Sequence, residues 1–368
     1  MSEESSNSSN YGLTSKETSA TIAAPDMSYL PARPTNPPPI GLIGAGGISE
    51  YHLRAYKTLG FDVRAIANRT LSKAEARRDE FFPDARVTDD WRELVSDPEL
   101  QVLDITPHPE VRLPMIEAAL NAGKHVLSQK PFVENIADGE RLCALAESKN
   151  LKLAVNQNGR FAPHFSWMRQ VIAAGLIGEL ASIEFSLNWD HSWTADTPFD
   201  QIHHLLLADF GIHWFDIVIA FLGDQPVQRV FASVTEAPHQ VGTPPYLAQV
   251  VAEAGPVQIR ISMNAGVRHG QEDRTMVCGH LGTLKAWGPE LNDQRVSLHT
   301  KDGVAIPELA GCWFENGFQG SMGELLCAIE EDRVPVNNAR ENLCSLAFCQ
   351  AAVRSADTGK VAILQGNG

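Results

Sequence analysis

Short apolar stretches alternate with amphipathic ones between about residues 37 and 158. The apolar stretches are IGLIG, FDVRAIA, QVLDI, HVLSQ and LKLAV, and the segments between them have the spacing of helices. Strands that are apolar on both faces and alternate with helices are typical of a parallel sheet covered by helices. The pattern therefore predicts an α/β domain over residues 37–158, built on a doubly wound parallel sheet.

The pattern changes after about residue 159, where apolar and polar residues alternate singly. The alternating segments are ASIEFSLNW, VQRVFASVTEA, LAQVVAEAG, VQIRISMNAG, TLKAWG and RVSLHT. A period of two is typical of half-buried strands in an antiparallel sheet. With helices predicted at about 204–222, 317–331 and 339–358, residues 159–368 are expected to form an α+β domain with a large, open, mostly antiparallel sheet.

The helices would cover only one face of this antiparallel sheet. We expect the other face to carry alternating apolar residues without a partner inside the chain. An apolar face of this size is normally covered, and a second copy of the chain is the simplest cover. The sequence therefore predicts a homo-oligomer.

The N-terminal segment has a different composition from the rest of the chain. Residues 1–36 are rich in Ser, Asn, Thr and Pro and end in PARPTNPPP. Such a segment buries too little apolar surface to order itself, which predicts a disordered tail. It contains no signal-peptide core, and no stretch of the chain is long and apolar enough to span a bilayer.

Charge and cysteine content narrow the class of protein further. The formal net charge is −15 at pH 7, which argues against nucleic acid or an anionic membrane as a partner. The six cysteines are scattered and none has C-x-x-C spacing. This distribution is typical of reduced thiols, so we expect a cytoplasmic protein.

A glycine-rich loop joins the first predicted strand to the first predicted helix. In GLIGAGGISEYH, Gly44 permits a tight turn and Gly46 allows the backbone to approach a pyrophosphate. The helix N-terminus would add free N–H groups and the positive end of its dipole. The loop predicts dinucleotide binding, and a purely structural turn is the alternative.

The end of the second predicted strand bears on the choice between NAD and NADP. A carboxylate at this position binds the adenosine ribose of NAD and repels a 2′-phosphate. The chain has Asn68 there, followed by Arg69, so both cofactors are permitted. NAD is slightly favoured because oxidation of sugars commonly uses it. Arg69 as a solvated surface cation is the alternative to a phosphate contact.

Three polar residues in apolar surroundings are candidates for catalysis. Asp209 and His213 have i, i+4 spacing in the helical segment LLLADFGIHWFD, where a carboxylate can orient an imidazole that acts as general base. Lys130 follows the strand HVLSQ at the sheet edge where ligands bind. The alternatives are a buried structural Asp–His pair and a solvated loop lysine.

Three motifs together resemble one known family. GLIGAGGIS, SQKPF and DFGIHWFD, supported by GLIGEL and GHLGTL, are similar to the glucose–fructose oxidoreductase / inositol dehydrogenase (Gfo/Idh/MocA) family of NAD(P)-dependent oxidoreductases. The resemblance covers about residues 38–366. It implies a Rossmann domain as the first domain and Lys130, Asp209 and His213 as catalytic residues.

The resemblance and the loop chemistry together define the predicted cofactor contacts. They are Gly44, Ala45, Gly46, Gly47, Ile48, Asn68, Arg69, Thr106, Pro107, His108, Gln129, Lys130 and Asn158. Two departures from the family pattern affect these contacts. Gln129 replaces a glutamate, and TPHPEV replaces T-P-N-x-x-H, which puts His108 and Val111 at positions where the family commonly has Asn and His.

Polar and aromatic residues near the predicted site suggest a ligand with several hydroxyl groups. The predicted substrate contacts are Asn156, Arg160, Trp189, Asp190, His191 and His204. Each could also be an ordinary loop or core residue. No metal site is predicted from His203 and His204, because neighbouring side chains on a helix point apart.

The interpretation that follows is an NAD(P)-dependent dehydrogenase that acts on a neutral free sugar. His213 would accept the hydroxyl proton, Lys130 would hold the oxygen, and Asp209 would orient His213. The favoured reaction is oxidation of C1 of an aldose to a lactone. The alternatives are a dehydrogenase that forms a keto-sugar or acts on an inositol or other polyol, an NAD-dependent glycosidase, and a non-catalytic dinucleotide-binding regulator.

Overall fold

The structure, a computed structural model, describes residues 20–364. Its first sheet is parallel, with the strand order β3-β2-β1-β4-β5-β6. The strands are β1 (Ile40–Ile43), β2 (Val63–Ala67), β3 (Arg86–Thr88), β4 (Val102–Ile105), β5 (His125–Gln129) and β6 (Leu153–Asn156). The connecting helices are α1 (Ser49–Leu59), α2 (Leu71–Phe81), α3 (Trp91–Ser96), α4 (Pro109–Asn121) and α5 (Ile136–Ser148). The strand order reverses between β1 and β4, which opens a crevice at the carboxyl ends of the strands.

The second sheet is larger and mostly antiparallel, with the order β14-β13-β12-β11-β7-β10-β9-β8-β15. Its strands are β7 (Leu180–Asn188), β8 (Arg229–Thr235), β9 (Leu247–Ala254), β10 (Val257–Asn264), β11 (Glu272–Gly279), β12 (Gly282–Glu290), β13 (Asp293–Thr300), β14 (Gly303–Ala305) and β15 (Ala362–Ile363). Only the central pair β7–β10 is parallel among the described strands of this sheet. The remaining helices are α6 (Pro163–Ala173), α7 (Ile212–Leu222), α8 (Trp313–Glu330) and α9 (Ala339–Thr358). The predicted fold class is confirmed.

The helix that contains the candidate residues is not a continuous α-helix. A π-helical turn covers Leu206–Phe210, and α7 starts only at Ile212. Gly211 closes this turn by donating its N–H to Leu206 O at 2.7 Å. A Cβ on Gly211 would lie 2.6 Å from the same oxygen, so the turn needs glycine at this position. Single π-helical turns are frequently found at functional sites.

Helix α8 packs on the first domain, although its place in the sequence predicts that it belongs to the second. Phe318, Met322 and Leu325 share a buried cluster with Ile40 and Leu42 of β1. The chain thus returns to the nucleotide-binding side after completing the second sheet. Local patterning cannot show this return, because an apolar helix face does not specify which sheet it covers.

Residues 20–36, which the sequence places in a disordered tail, make specific contacts with the rest of the chain. Thr21 forms a parallel bridge with Val304 of β14, and Ile22 N donates to Val304 O at 3.0 Å. Further along, the side chain of Glu330 accepts hydrogen bonds from the backbone N–H groups of Thr35 and Asn36. The unpaired edge of β14 and the end of α8 supply partners that composition alone does not reveal. Residues 1–19 of the predicted tail lie outside the described residues.

The outer face of the second sheet is polar, which contradicts the expected apolar face. Glu184 and Arg260 form an ion pair across neighbouring strands, and Arg274 pairs with Glu272. The apolar residues of the alternating strands point inward, onto the helices, and only scattered ones such as Phe231 and Val251 are exposed outward. In a strand where apolar and polar residues alternate, all the apolar side chains lie on one face of the sheet. Here that face packs on the helices, so the opposite face is polar.

Two other expectations concern the whole chain. None of the helices within residues 20–364 has the length and apolar character needed to cross a membrane. All six cysteines are free thiols, as their spacing predicted.

Candidate active site

Lys130 and Asp209 meet where the two domains face each other. Lys130 directly follows β5, and Asp209 lies in the π-helical turn. The Lys130 Nζ atom donates to Asp209 Oδ1 and to the Asp209 backbone oxygen, both at 3.1 Å. The two side chains are 17% and 19% exposed, so water screens this ion pair only weakly. The pair borders a cleft of about 750 Å³ between the first sheet and α9.

His213 lies one residue into α7 and is half-buried between tryptophans. Its ring packs edge-on against Trp214 and Trp313, with ring centroids 6.4 and 6.0 Å away. Burial, and then the charge of Lys130, hold the pKa of His213 well below its usual value. The imidazole is therefore neutral at pH 7 and able to accept a proton.

The expected hydrogen bond from Asp209 to His213 is absent from the described residues. The Asp209 carboxylate faces Lys130 instead, and the Nδ1 atom of His213 is buried without a partner. The i, i+4 rule assumes an α-helix, and the π-helical turn that ends at Phe210 changes the angular phase between the two residues. The Asp209 side chain thus contacts Lys130 and not the imidazole.

The glycine loop is shaped to receive a dinucleotide. Gly44 has φ 101°, and a Cβ there would lie 2.4 Å from Thr106 Oγ1. On Gly46 and Gly47 a Cβ would meet no atom within 4 Å, so the space above the loop is open. The backbone N–H groups of Gly46, Gly47 and Ile48 donate no hydrogen bond within the described residues. Open space and free donors at a helix N-terminus fit a pyrophosphate.

Asn68 holds the glycine loop from the neighbouring strand. Its Oδ1 accepts from Ala45 N at 2.9 Å, and its Nδ2 donates to Thr70 O at 2.9 Å. Arg69 is exposed beside it. No carboxylate stands at the end of β2, so the residues fit either NAD or NADP.

A buried polar network lies beneath Lys130. His52 Nδ1 and Asp104 Oδ2 are 2.7 Å apart, and Tyr56 donates to the same oxygen at 2.7 Å. With Nδ1–H directed at Asp104, His52 Nε2 accepts from the amide groups of Gln129 and Asn156, each at 3.2 Å. Burial, and then Asp104, raise the pKa of Tyr56 well above its usual value.

The same network fixes the residue that replaces the family's glutamate. Because the Gln129 amide nitrogen points to His52, its Oε1 is free to accept the Lys130 backbone N–H at 2.6 Å. Asn156, predicted as a substrate contact, belongs to this network. His52, Tyr56 and Asp104 were not predicted from the sequence, although the i, i+4 spacing of His52 and Tyr56 on α1 is visible there.

Rings line the other side of the site. Trp189 packs against Trp214 at 5.1 Å and stacks on His191 at 5.6 Å, while Trp214 packs against Trp313 at 5.6 Å. His164 lies 6.1 Å from the same Trp313 ring. Of these side chains, only Trp189 and His191 were predicted from the sequence. Trp214 lies within the DFGIHWFD motif but was not singled out, whereas His164 and Trp313 belong to no quoted motif; the three side chains come from α6, α7 and α8.

Several of these rings carry buried polar atoms without a partner among the described residues. They are Trp189 Nε1, Trp214 Nε1, His164 Nε2 and His191 Nδ1. Burial lowers the pKa of His164 to about 3 and that of His191 to about 4, so both rings are neutral. Neighbouring Asn158, a predicted cofactor contact, accepts from Trp313 Nε1 at 3.4 Å. The rings thus offer apolar faces together with uncharged hydrogen-bonding groups.

Three predicted substrate contacts lie away from this group of rings. Arg160 is buried in an ion pair with Asp216, with two contacts of 2.7 Å, and it also binds Glu341. Its donors are therefore used within the core. Asp190 accepts from Ser192 N and lines a separate groove, because successive strand residues point to opposite faces. His204 binds Asp357 on α9.

The remaining predicted cofactor contacts border the cleft. Ile48, Thr106, Pro107 and His108 form its wall on the side of the first sheet, next to Gln129 and Lys130. His108 precedes α4 at the N-cap position, so it lies at the carboxyl edge of β4.

Two family models cover most of the chain. The model described as "Oxidoreductase family, NAD-binding Rossmann fold" matches residues 39–157. The model of the GFO/IDH/MocA C-terminal domain matches residues 165–285. The chain belongs to the Gfo/Idh/MocA family of oxidoreductases. The predicted family, the enzyme class and a cofactor of the NAD or NADP type are thereby confirmed.

Relatives with assigned names include two that match over most of their length. Inositol 2-dehydrogenase of Rhizobium meliloti is 28% identical over 86% of this chain and 96% of its own. D-apiose dehydrogenase of Paraburkholderia graminis is 24% identical over 88% of this chain and 89% of its own. In other relatives the match is shorter. An uncharacterized oxidoreductase of Schizosaccharomyces pombe is 34% identical over 44% of this chain and 45% of its own.

Solved structures of other oxidoreductases have the same fold. An oxidoreductase from Agrobacterium radiobacter, crystallised with NAD⁺, L-tartaric acid and magnesium, superposes with a TM-score of 0.80. It is 19% identical, and the match covers 89% of this chain and 98% of that one. At this identity the likeness concerns the arrangement of both domains.

Proposed function

We propose that this member of the family oxidises C1 of a neutral free aldose to a lactone. The observation that carries the proposal is the position of Lys130, Asp209 and His213 between the dinucleotide crevice and the ring-lined side of the site. One charged donor, one neutral base and a set of uncharged polar rings suit a hydroxylated, uncharged substrate.

In the proposed reaction, the Lys130 ammonium group donates a hydrogen bond to the hydroxyl oxygen that becomes the carbonyl. The neutral imidazole of His213 accepts the hydroxyl proton at a ring nitrogen. Asp209 holds Lys130 in place through the 3.1 Å contact. The bound nicotinamide supplies the acceptor for the hydride. Lys130 limits the negative charge that develops on the oxygen as the proton leaves.

The charges near the site favour a substrate without phosphate. Sugar phosphates are usually bound by clustered arginines. Arg160 is committed to Asp216, and the Arg112 guanidinium donates to the backbone oxygens of Pro107 and Pro131. The resemblance to D-apiose dehydrogenase supports a free aldose as the substrate class, with D-apiose itself as one candidate. The hemiacetal hydroxyl at C1 is a secondary-type alcohol that His213 can deprotonate.

A second candidate is a ring hydroxyl of a polyol or sugar, whose oxidation gives a ketone. It is favoured by the match to inositol 2-dehydrogenase over 86% of the chain. Formation of a lactone and formation of a ketone need the same base and the same donor to the reacting oxygen. Lys130, Asp209 and His213 therefore do not distinguish the two reactions.

The test is a screen of free aldoses and inositols with NAD⁺ and NADP⁺, followed by absorbance of the reduced cofactor and NMR of the product. A lactone supports the first candidate, and a keto-sugar or keto-inositol supports the second. Absence of net cofactor reduction with cleavage of a glycoside would indicate the NAD-dependent glycosidase. Cofactor binding without any turnover would indicate a regulator.

We also propose that the chain forms a homo-oligomer through the outer face of the second sheet. Support comes from a groove of about 520 Å³ on this face, bordered by Arg260, Lys285 and Trp287. The sequence predicted an apolar interface on this face, whereas the face carries both polar and apolar residues. Such mixed surfaces also form specific interfaces. NAD as the preferred cofactor and a cytoplasmic location remain predictions.

A further inference from the structure

His203 and His204 lie in a turn just before the π-helical turn, and their rings are close together. The ring centroids are 3.9 Å apart, with an angle of 37° between the planes. His204 has φ 48°, in the left-handed region. This backbone conformation is uncommon outside glycine and turns the second ring to the side of the first. Adjacent side chains point apart on a helix, but His203 and His204 lie in a turn, where they can point to the same side.

A carboxylate from another element completes the group. Asp357 lies near the end of α9, and its Oδ1 is 2.6 Å from His203 Nε2 and 3.0 Å from His204 Nε2. The ligand atoms of all three residues lie within 4.8 Å of one another.

We propose that His203, His204 and Asp357 bind a divalent ion of the first transition series, of which Zn²⁺ is the best fit. Two imidazoles and one carboxylate are ligands that suit Zn²⁺, Co²⁺ and Ni²⁺, whereas Mg²⁺ and Ca²⁺ prefer oxygen ligands. Around tetrahedral zinc, ligands about 2.1 Å from the ion lie about 3.4 Å from one another. The Asp357 Oδ1 atom lies 2.6 Å from His203 Nε2 and 3.0 Å from His204 Nε2, and both distances are within about 1 Å of that value.

The position of the group suggests what a bound ion would do. His203 borders the cleft that also contains Lys130 and Asp209. An ion held by His203, His204 and Asp357 would fasten the turn, and with it the cleft residues Phe199 and Ile202, to α9. Three protein ligands leave one position open for water or a ligand oxygen at the rim of the cleft. The proposal does not depend on which sugar the enzyme oxidises.

The test uses the full chain, freed of metal with a chelator and titrated with Co²⁺ followed by visible absorption, and then with Zn²⁺ in competition. We expect saturation at one ion per chain with a Kd in the micromolar range or below. His203→Ala and Asp357→Asn should each weaken binding at least tenfold, because each removes one of three ligands. The matched control is His239→Ala, since His239, like His203, is an exposed histidine outside the helices and strands.

A second readout separates specific binding from loose surface binding. Zn²⁺ should raise the midpoint of thermal unfolding of the wild type and of His239→Ala, because an ion that binds only the folded chain stabilises it. It should not do so for His203→Ala or Asp357→Asn. Absence of saturable binding, or equal binding by the wild type and both ligand variants, overturns the proposal.

Discussion

Lys130 is held from two sides at the centre of the candidate site. The Gln129 side chain accepts from its backbone N–H, and Asp209 binds its ammonium group. The first of these contacts traces back through His52 to Asp104 in the core of the first domain. The replacement of glutamate by Gln129 therefore keeps the position of Lys130 under the control of a buried network.

We expect Lys130→Met and His213→Ala each to lower kcat/KM by about two or more orders of magnitude, the usual size for a positioned donor or base. Cofactor affinity, measured by fluorescence titration, should change far less. Lys149→Met is the control, since Lys149 is exposed at the end of α5. Near-normal turnover by either site variant would show that the assignment is wrong.

The pH dependence of oxidation should reflect the lowered pKa of His213. Only the neutral imidazole accepts a proton, and burial together with the charge of Lys130 keeps it neutral below its usual pKa. We expect kcat/KM to stay level from pH 8 through pH 6.5 and to fall only at more acid pH. In Lys130→Met one cause of the shift is gone, so the residual activity should begin to fall at a higher pH. An acid limb at or above pH 6.5 in the wild type would contradict the role of His213.

At the scale of elements, the π-helical turn determines which partner Asp209 has. An α-helix through this segment would place Asp209 beside His213, as the spacing predicted. The turn at Leu206–Phe210, closed at Gly211, directs the carboxylate to Lys130 on the other domain. One local change of helix type thus converts an expected Asp–His pair into a contact between domains.

Strand β11 carries a buried carboxylate that affects stability. Asp273 is 1% exposed, and neither carboxylate oxygen has a hydrogen-bond partner among the described residues. Burial raises its pKa to about 7. The folded state therefore keeps a proton on Asp273 that the unfolded state loses near pH 4. As the pH rises from about 4 to about 7, the contribution of this proton to the free energy of unfolding is lost.

We expect Asp273→Asn to raise the unfolding midpoint at pH 8 and to have little effect at pH 5. The shift of about three pKa units corresponds to at most about 4 kcal/mol at pH 8. Thermal unfolding at the two pH values measures the difference. Asp293→Asn is the control, because Asp293 is exposed at the start of β13. Equal destabilisation at both pH values would show that the carboxylate has a partner in the folded protein.

At the scale of the whole molecule, the chain connects its two domains several times. Helix α8 returns from the second sheet to pack on α1, and α9 contacts α5 of the first domain as well as β8 of the second. The segment at residues 20–36 runs from β14 to the end of α8. These contacts between the domains fix the positions of the two walls of the cleft relative to each other.

We expect static light scattering to show a homo-oligomer at micromolar concentration. Val251→Glu should shift the population towards the monomer, since Val251 is exposed on the outer face of the second sheet. Val241→Glu is the matched control, because Val241 is exposed in a loop between β8 and β9. A monomeric wild type would remove the proposed interface.

The sequence by itself determined the two-domain architecture and the family. The spacing of apolar residues follows from the local geometry of a strand. IGLIG and HVLSQ were therefore correctly predicted as buried strands, and ASIEFSLNW as a half-buried strand. The glycine loop was also predictable, since its position between the first strand and the first helix is visible in the sequence and Gly44 has the positive φ expected of a tight turn. Lys130 was predictable because its place follows from the end of a single strand.

Only the tertiary structure decided what each polar side chain contacts. Arg160 and Asp190 were expected at the substrate, yet one is neutralised by Asp216 in the core and the other faces a separate groove. Trp313 reaches the site from a helix that lies about 100 residues beyond His213 in the chain. Asp357 lies still further along the chain from His203, 154 residues away. Hydrogen bonds and ion pairs are short-range, so their partners are fixed by packing between distant segments, which no local pattern encodes.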